Sequence, residues 1–372
     1  MMQPPTPEAD DTVKIPRGIT PRASLPAGPP AGAPPAVRGP KRRQFLMPLL
    51  AGTGLLVPAA LAGAWFGFKS RGGGNTLITL TEAQIDASAP CATVVSAFAL
   101  DRAVVVIDFP DLATQGLTLD RVAALIEKAH LPRNRVLTDA ELVQAIRSSG
   151  DTIESYYYGH DYQAADLAKF FHLAALQNIR LNPHEMWLHA LLARLGWLAP
   201  GVCGAIITIP AASAVIAPDM RAVILHHEIS HGAFYTDAVY RSYAESFWYS
   251  LTDSDRAAFT GFLGRQGYDT TDTELMLNET QAYLVFTRDP RFFNAAAVGM
   301  TEADIARLRA AFIANMPDFW LRPLANAVLP PGAPPNPACR TIPAAPANFA
   351  SIAPPQPACR ICAAARPRLA CA

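Results

Sequence analysis

The sequence predicts a mainly helical domain with a small β-sheet, an α+β arrangement, held between two proline-rich arms. Three observations carry that expectation. Of 34 prolines, eleven fall in residues 1–43 and eleven in 327–372, where stretches such as PAGPPAGAPPAVRGP and LPPGAPPNPACR exclude helix and central strand alike. The body between them, 77–326, is dominated by segments whose apolar residues recur at helical spacing. Two runs in it, AVVVIDF at 103–109 and GAIITIP at 204–210, are short, apolar and β-branched, and read as strands.

Residues 1–43 read as a disordered arm with seven basic and three acidic side chains. The segment 44–68 then runs 25 residues without a charge, enough to span a bilayer. Lys41, Arg42 and Arg43 precede it as a cytoplasmic flank does. Arg42, Arg43, Phe45 and Leu46 resemble the bacterial twin-arginine export signal. Ala62-Gly63-Ala64 offers an A-x-A cleavage site, and an uncleaved membrane anchor through 44–68 is the alternative. Either way the rest of the chain is expected in the periplasm or otherwise outside the cytoplasm. Residues 69–76 form a linker.

The body holds 28 acidic and 18 basic residues, net −10, while the tail 327–372 has four arginines and no acid. A body that acidic argues against nucleic-acid binding, which needs clustered positive charge. Six cysteines suit an oxidising compartment. Cys91 and Cys203 lie in the body, and Cys339, Cys359, Cys362 and Cys371 in the tail. Disulfides fit the even count; Cys359-x-x-Cys362 keeps zinc open as the alternative, although the other two tail cysteines are irregularly spaced.

Within the body, residues 119–130, 138–150, 165–178, 185–196, 252–267 and 301–316 each read as a helix of a few turns. Thr138, with Glu141 three residues on, forms a capping box. GHDY at 159–162, with three tyrosines before it, reads as a loop, lining a cleft or carrying surface aromatics. The chain contains no internal repeat, no Gly-rich phosphate loop and no G-x-S-x-G elbow.

The chemistry concentrates in HHEISH, residues 226–231. Pro218 and Asp219 suit the first turn of a helix, and Met220 to His231 runs without a breaker to Gly232, the expected stop. Residues four apart on a helix differ by about 40° and one turn, so His227 and His231 project from one face and can share a tetrahedral ion. Glu228, about 100° around, is poorly placed as a ligand but well placed to reach a water beside that ion. Leu225 and Ile229 point elsewhere and anchor the helix. Two histidines and a glutamate on an apolar helix are costly to bury, and Zn2+ supplies the compensation. His226 is a surface residue or a support for the ligands.

This segment resembles the zincin metallopeptidases. The resemblance implies a zincin-like fold, a peptide or protein substrate, His227 and His231 as zinc ligands, and Glu228 as the general base that activates the attacking water. A catalytic zinc site needs a third ligand, and three acids follow His231. LMLNETQAYLVF reads as a second helix, and its NETQA resembles the third-ligand segment of the gluzincin branch, which implies Glu279. Tyr283, one turn on and on the same face, is a candidate donor to a developing oxyanion, with a packed aromatic as the alternative. Glu245, in the amphipathic YRSYAESFW, and Asp237 remain open. HEISHGAFYTD has the ligand spacing of one metzincin branch but carries Phe234 where a glycine belongs.

IITIP, 206–210, is either an edge strand pairing with substrate or a buried strand beneath the motif helix. The expected activity is that of an exported zinc metalloendopeptidase. Two rivals stay open: an exported zinc protein that binds a partner without turnover, and a membrane-tethered scaffold working through its proline arms.

Overall fold

The apolar runs at 103–109 and 204–210 pair with each other at the centre of a five-stranded mixed sheet. The computed structural model of the protein describes residues 77–330 and 332–337. The strands are β1 (Ile78–Leu80), β2 (Val94–Phe98), β3 (Val104–Phe109), β4 (His160–Gln163) and β5 (Ala205–Pro210). They lie in the order β1-β2-β3-β5-β4. β3 and β5 are parallel, from Val104 opposite Ala205 to Phe109 opposite Pro210. Every residue of both is buried, which is why they read as unbroken apolar runs instead of alternating ones.

Helices make up most of the remainder, so the fold is mainly α with a small sheet. They are α1 (Glu82–Asp86), α2 (Leu112–Ile126), α3 (Asp139–Ser149), α4 (Ala164–Leu176), α5 (Pro183–Leu195), α6 (Pro218–Thr236), α7 (Ala238–Ser250), α8 (Asp253–Arg265), α9 (Thr273–Gln281), α10 (Ala295–Val298) and α11 (Glu302–Asn315). The capping box of Thr138 and Glu141 opens α3, and Gly150 closes it at φ 84°. A π-helical turn, Ala282–Phe286, continues α9.

Alternation along the strands assigns the two faces of the sheet. Thr208 of β5 donates to Gln115 of α2. Its neighbour across the ladder, His160, stands 3.8 Å from Asp120 of α2. The opposite set, Asp161 and Ile207, therefore looks toward α6. Gly232 of α6 lies so close to β3 that a Cβ there would stand 2.9 Å from Val104. That contact corrects the expected end of the motif helix. Gly232 permits close helix–sheet packing mid-helix, and α6 runs on to Thr236 before Asp237 takes over as its C-cap.

Three further expectations change. β5 is flanked by β3 and β4, so IITIP is not an edge; the edge beside α6 belongs to β4. The segment read as a loop, GHDY, supplies β4, and Tyr156, Tyr157 and Tyr158 before it are buried, not surface aromatics. Its polar composition hides the strand, which is imposed by the ladder to β5. Finally, the start of the tail is docked against the body. Gly332 and Ala333 donate backbone N–H groups to the carbonyls of Pro218 and Asp86, both at 2.9 Å.

Cys91 and Cys203 are both disulfide-bonded. The arm 1–43, the segment 44–68, the linker 69–76 and the four tail cysteines lie outside the described residues. Among the described residues, no helix is long and apolar enough to cross a membrane.

One buried cation fixes the start of α6. Arg221 is fully buried. Its Nε donates to the Pro210 carbonyl at the end of β5, at 3.1 Å, and one terminal nitrogen reaches the Ile85 and Asp86 carbonyls of α1 at 2.9 and 3.1 Å. The other pairs with Asp108 of β3 at 2.8 Å. Burial pushes the Asp108 carboxyl above its ordinary pKa while Arg221 pulls it back. Removing one partner of a buried pair strands the other. Arg221→Met is expected to destabilise the protein by about 3–5 kcal/mol, read as a lower urea midpoint at unchanged slope.

Candidate metal centre

Two imidazoles meet on the α6 face that looks at β4 and α9. His227 and His231 are both buried, and their Nε2 atoms stand 3.0 Å apart. The outward nitrogens, Nδ1, are engaged. His227 Nδ1 lies 2.7 Å from Thr287 Oγ1, whose own proton goes to the Ala282 carbonyl at 3.0 Å. Thr287 must then accept, so His227 carries its proton on Nδ1.

The same accounting holds for His231. Its Nδ1 lies 2.9 Å from Asn278 Oδ1, an oxygen that also accepts from Gln281 Nε2. The Gln281 amide is itself oriented, because its Oε1 accepts from the Tyr240 hydroxyl at 2.5 Å. Burial holds the Tyr240 phenol well above its ordinary pKa, so it stays a donor. Both histidines thus present Nε2 as an acceptor toward one point.

Carboxylates face that point as well. Glu279 of α9, buried, places its oxygens 3.8 Å from His227 Nε2 and 3.9 Å from His231 Nε2. Asp161 of β4 stands 3.7 Å from His231 Nε2. A proton shared between the imidazoles would answer that pair alone. A divalent cation answers the imidazoles and the carboxylates together, and two nitrogens with oxygen donors are a set that zinc accepts. The ligand atoms of His227, His231 and Glu279 all lie within 4.8 Å of one another, as do those of Asp161, Glu228 and His231.

Glu228 is buried beside this cluster, one of its oxygens within 4.8 Å of the ligand atoms of Asp161 and His231. Its carboxylate packs on the backbone of Gly159, where a Cβ would stand 2.1 Å from Glu228 Oε1. Glu228, His227, Tyr283 and Thr287 line a cavity of about 30 Å³ walled by Val223, Ile224 and Phe292. That is room for a water molecule, which needs roughly 10–15 Å³. The Tyr283 ring stands edge-on to His227 at 4.8 Å between centroids and also packs on Phe262 and Phe293.

The other sequence candidates lie elsewhere. Glu245 is exposed on α7. Asp237 is the N-cap of α7, accepting from the backbone of Val239 and Tyr240. His226 is buried, not a surface residue; its nitrogens lie 2.7 Å from Glu82 and 3.0 Å from the Leu324 carbonyl, so it ties α6 to α1 and to the chain beyond α11. Asn278 and Thr287 were not singled out as site residues from the sequence, and Gly159 and Asp161 were raised only as part of the GHDY segment, as a possible cleft lining and not as metal-centre residues. Asn278, immediately before Glu279, is the one that spacing alone could have raised.

No protein-family model, no curated protein and no solved structure matches the chain. The functional reading therefore rests on the residues and their geometry. The Thr287 contact gives it a direct check. Partners that orient a ligating histidine typically account for 10–100-fold in metal affinity. Thr287→Val is expected to weaken Zn2+ binding by about tenfold or more, measured by competition with a chromophoric chelator.

Proposed function

We propose that the protein is a zinc metallohydrolase, with His227, His231 and Glu279 as ligands and Glu228 as the general base. The observation that carries this reading is the convergence of two Nε2 acceptors and the Glu279 carboxylate on one point, with Glu228 alongside a water-sized cavity. Zn2+ held there would lower the pKa of a water and polarise a substrate carbonyl. Glu228, held on one side by Gly159, takes a proton from the attacking water and returns it to the leaving group. Tyr283 lines the same cavity and suits the role of donor to the oxyanion, while its ring steadies His227.

Amide hydrolysis, with a peptide or protein as substrate, follows from the resemblance of the HHEISH and NETQA segments to the zincins. The ligand set by itself serves other carbonyl substrates equally. Export through 44–68, with cleavage or with retention in the membrane, belongs to the same proposal and places the activity outside the cytoplasm.

Glu228→Gln tests the reading. The variant is expected to keep its Zn2+ content and fold while hydrolysis of a peptide library falls by 10²–10⁴-fold. Unchanged turnover, or a zinc-loaded wild type that cleaves no peptide in the library, would sink it. Gly159→Ala provides an independent arm. The new methyl group must displace the Glu228 carboxylate, so turnover is expected to fall by an order of magnitude or more with metal affinity near that of wild type.

A further inference from the structure

We infer that Asp161 is a further protein ligand beside His231, so that the metal would be met by two imidazoles and two carboxylates and keep a fifth position for the water that the proposed hydrolysis needs. This rests on the metal-binding half of the proposed function and not on its hydrolytic half. Asp161 Oδ2 lies 3.7 Å from His231 Nε2, while Glu279 Oε1 lies 3.9 Å from the same atom. By distance, the two carboxylates are equivalent toward that nitrogen.

The orientation of Asp161 is built in. Strand alternation turns it to the α6 face, between Gly159 and Gln163. Its other oxygen, Oδ1, accepts from the Tyr235 hydroxyl at 2.9 Å. Tyr235 lies one turn beyond His231 on α6, so the helix that carries the imidazoles also aims the carboxylate. Asp161 is 8% exposed, against 2% for Glu279. Both are acids withdrawn from water beside the imidazole pair, as the ligands of a buried cation would be.

Charge points the same way: Asp161 and Glu279 together match a divalent ion, and a ligand atom of Asp161 lies within 4.8 Å of one of His231.

The test uses the full-length protein stripped of metal and titrated with Zn2+ against a chromophoric chelator, and with Co2+ followed by visible absorption. Asp161→Asn is expected to bind Zn2+ at least tenfold more weakly and to shift the Co2+ bands, because the coordination sphere changes. Glu245→Gln, exposed on α7, should leave both readouts as in the wild type. Tyr235→Phe keeps the carboxylate and removes only its hydrogen bond, so a smaller loss of affinity is expected. If Asp161→Asn does not fold, Tyr235→Phe decides: wild-type affinity and an unchanged Co2+ spectrum overturn the assignment. The same result for a folded Asp161→Asn overturns it outright. Zinc-loaded protein without peptidase activity removes the hydrolytic reading and leaves Asp161 standing. A wild type with no affinity for Zn2+ removes both.

Discussion

The proton on each Nδ1 is the constraint from which the rest of the centre follows. A histidine has two nitrogens and, when neutral, one proton, so whichever partner takes that proton decides which nitrogen can bind metal. Here the decision is made one layer out. Tyr240 donates to Gln281, Gln281 donates to Asn278, and the Asn278 oxygen accepts from His231. On the other side the Ala282 carbonyl takes the Thr287 proton, and Thr287 accepts from His227. Two chains of hydrogen bonds, each with its direction fixed at the far end, aim both Nε2 lone pairs at one place.

Three regular elements make that convergence possible, each through its own period. His227, His231 and Tyr235 recur every four residues on α6. Gly159, just before β4, and Asp161 and Gln163 on it recur every two. Glu279, Tyr283 and Thr287 recur every four along α9 and its extension. On an ideal α-helix, each step of four residues overshoots a full turn by about 40°, so a third member drifts off the face. The π-helical turn at Ala282–Phe286 is wider and takes the drift back. Thr287 therefore reaches Nδ1 of His227 while Glu279, from the same helix, faces its Nε2.

What could be read from the sequence divides along the same lines. The imidazole pair was legible because a helical period of four is visible in a string, and Glu279 because its surroundings resemble a known ligand segment. The central strands were legible because burial on both faces leaves unbroken apolar runs. β4 was not, since HDYQ has the composition of a loop and becomes a strand only by pairing with Ala205 to Thr208. Asp161 was lost with it: a carboxylate 66 positions before Glu228's neighbour His227 has no local spacing to betray it. Gly232 misled for a related reason. A glycine after a run of helical residues reads as a stop, and only the approach of Val104 shows that it serves packing.

Gly232 and Gly159 then act as a pair at the two ends of one interface. At Gly232 the missing side chain lets α6 settle on β3, and this sets how deeply the motif helix sits. At Gly159 it lets the start of β4 close on Glu228, and this sets how far the carboxylate stands from the imidazoles. Arg221 pins the N-terminal turn of α6 to the ends of β3 and β5, so the helix cannot slide along the sheet to relieve either contact. Depth, lateral distance and axial position are thus fixed by three different residues, none of which touches the proposed metal. A side chain at Gly232 would shift the helix that carries both imidazoles, and one at Gly159 would shift the glutamate beside them, and that sensitivity ties the chemistry of the centre to the packing of the sheet.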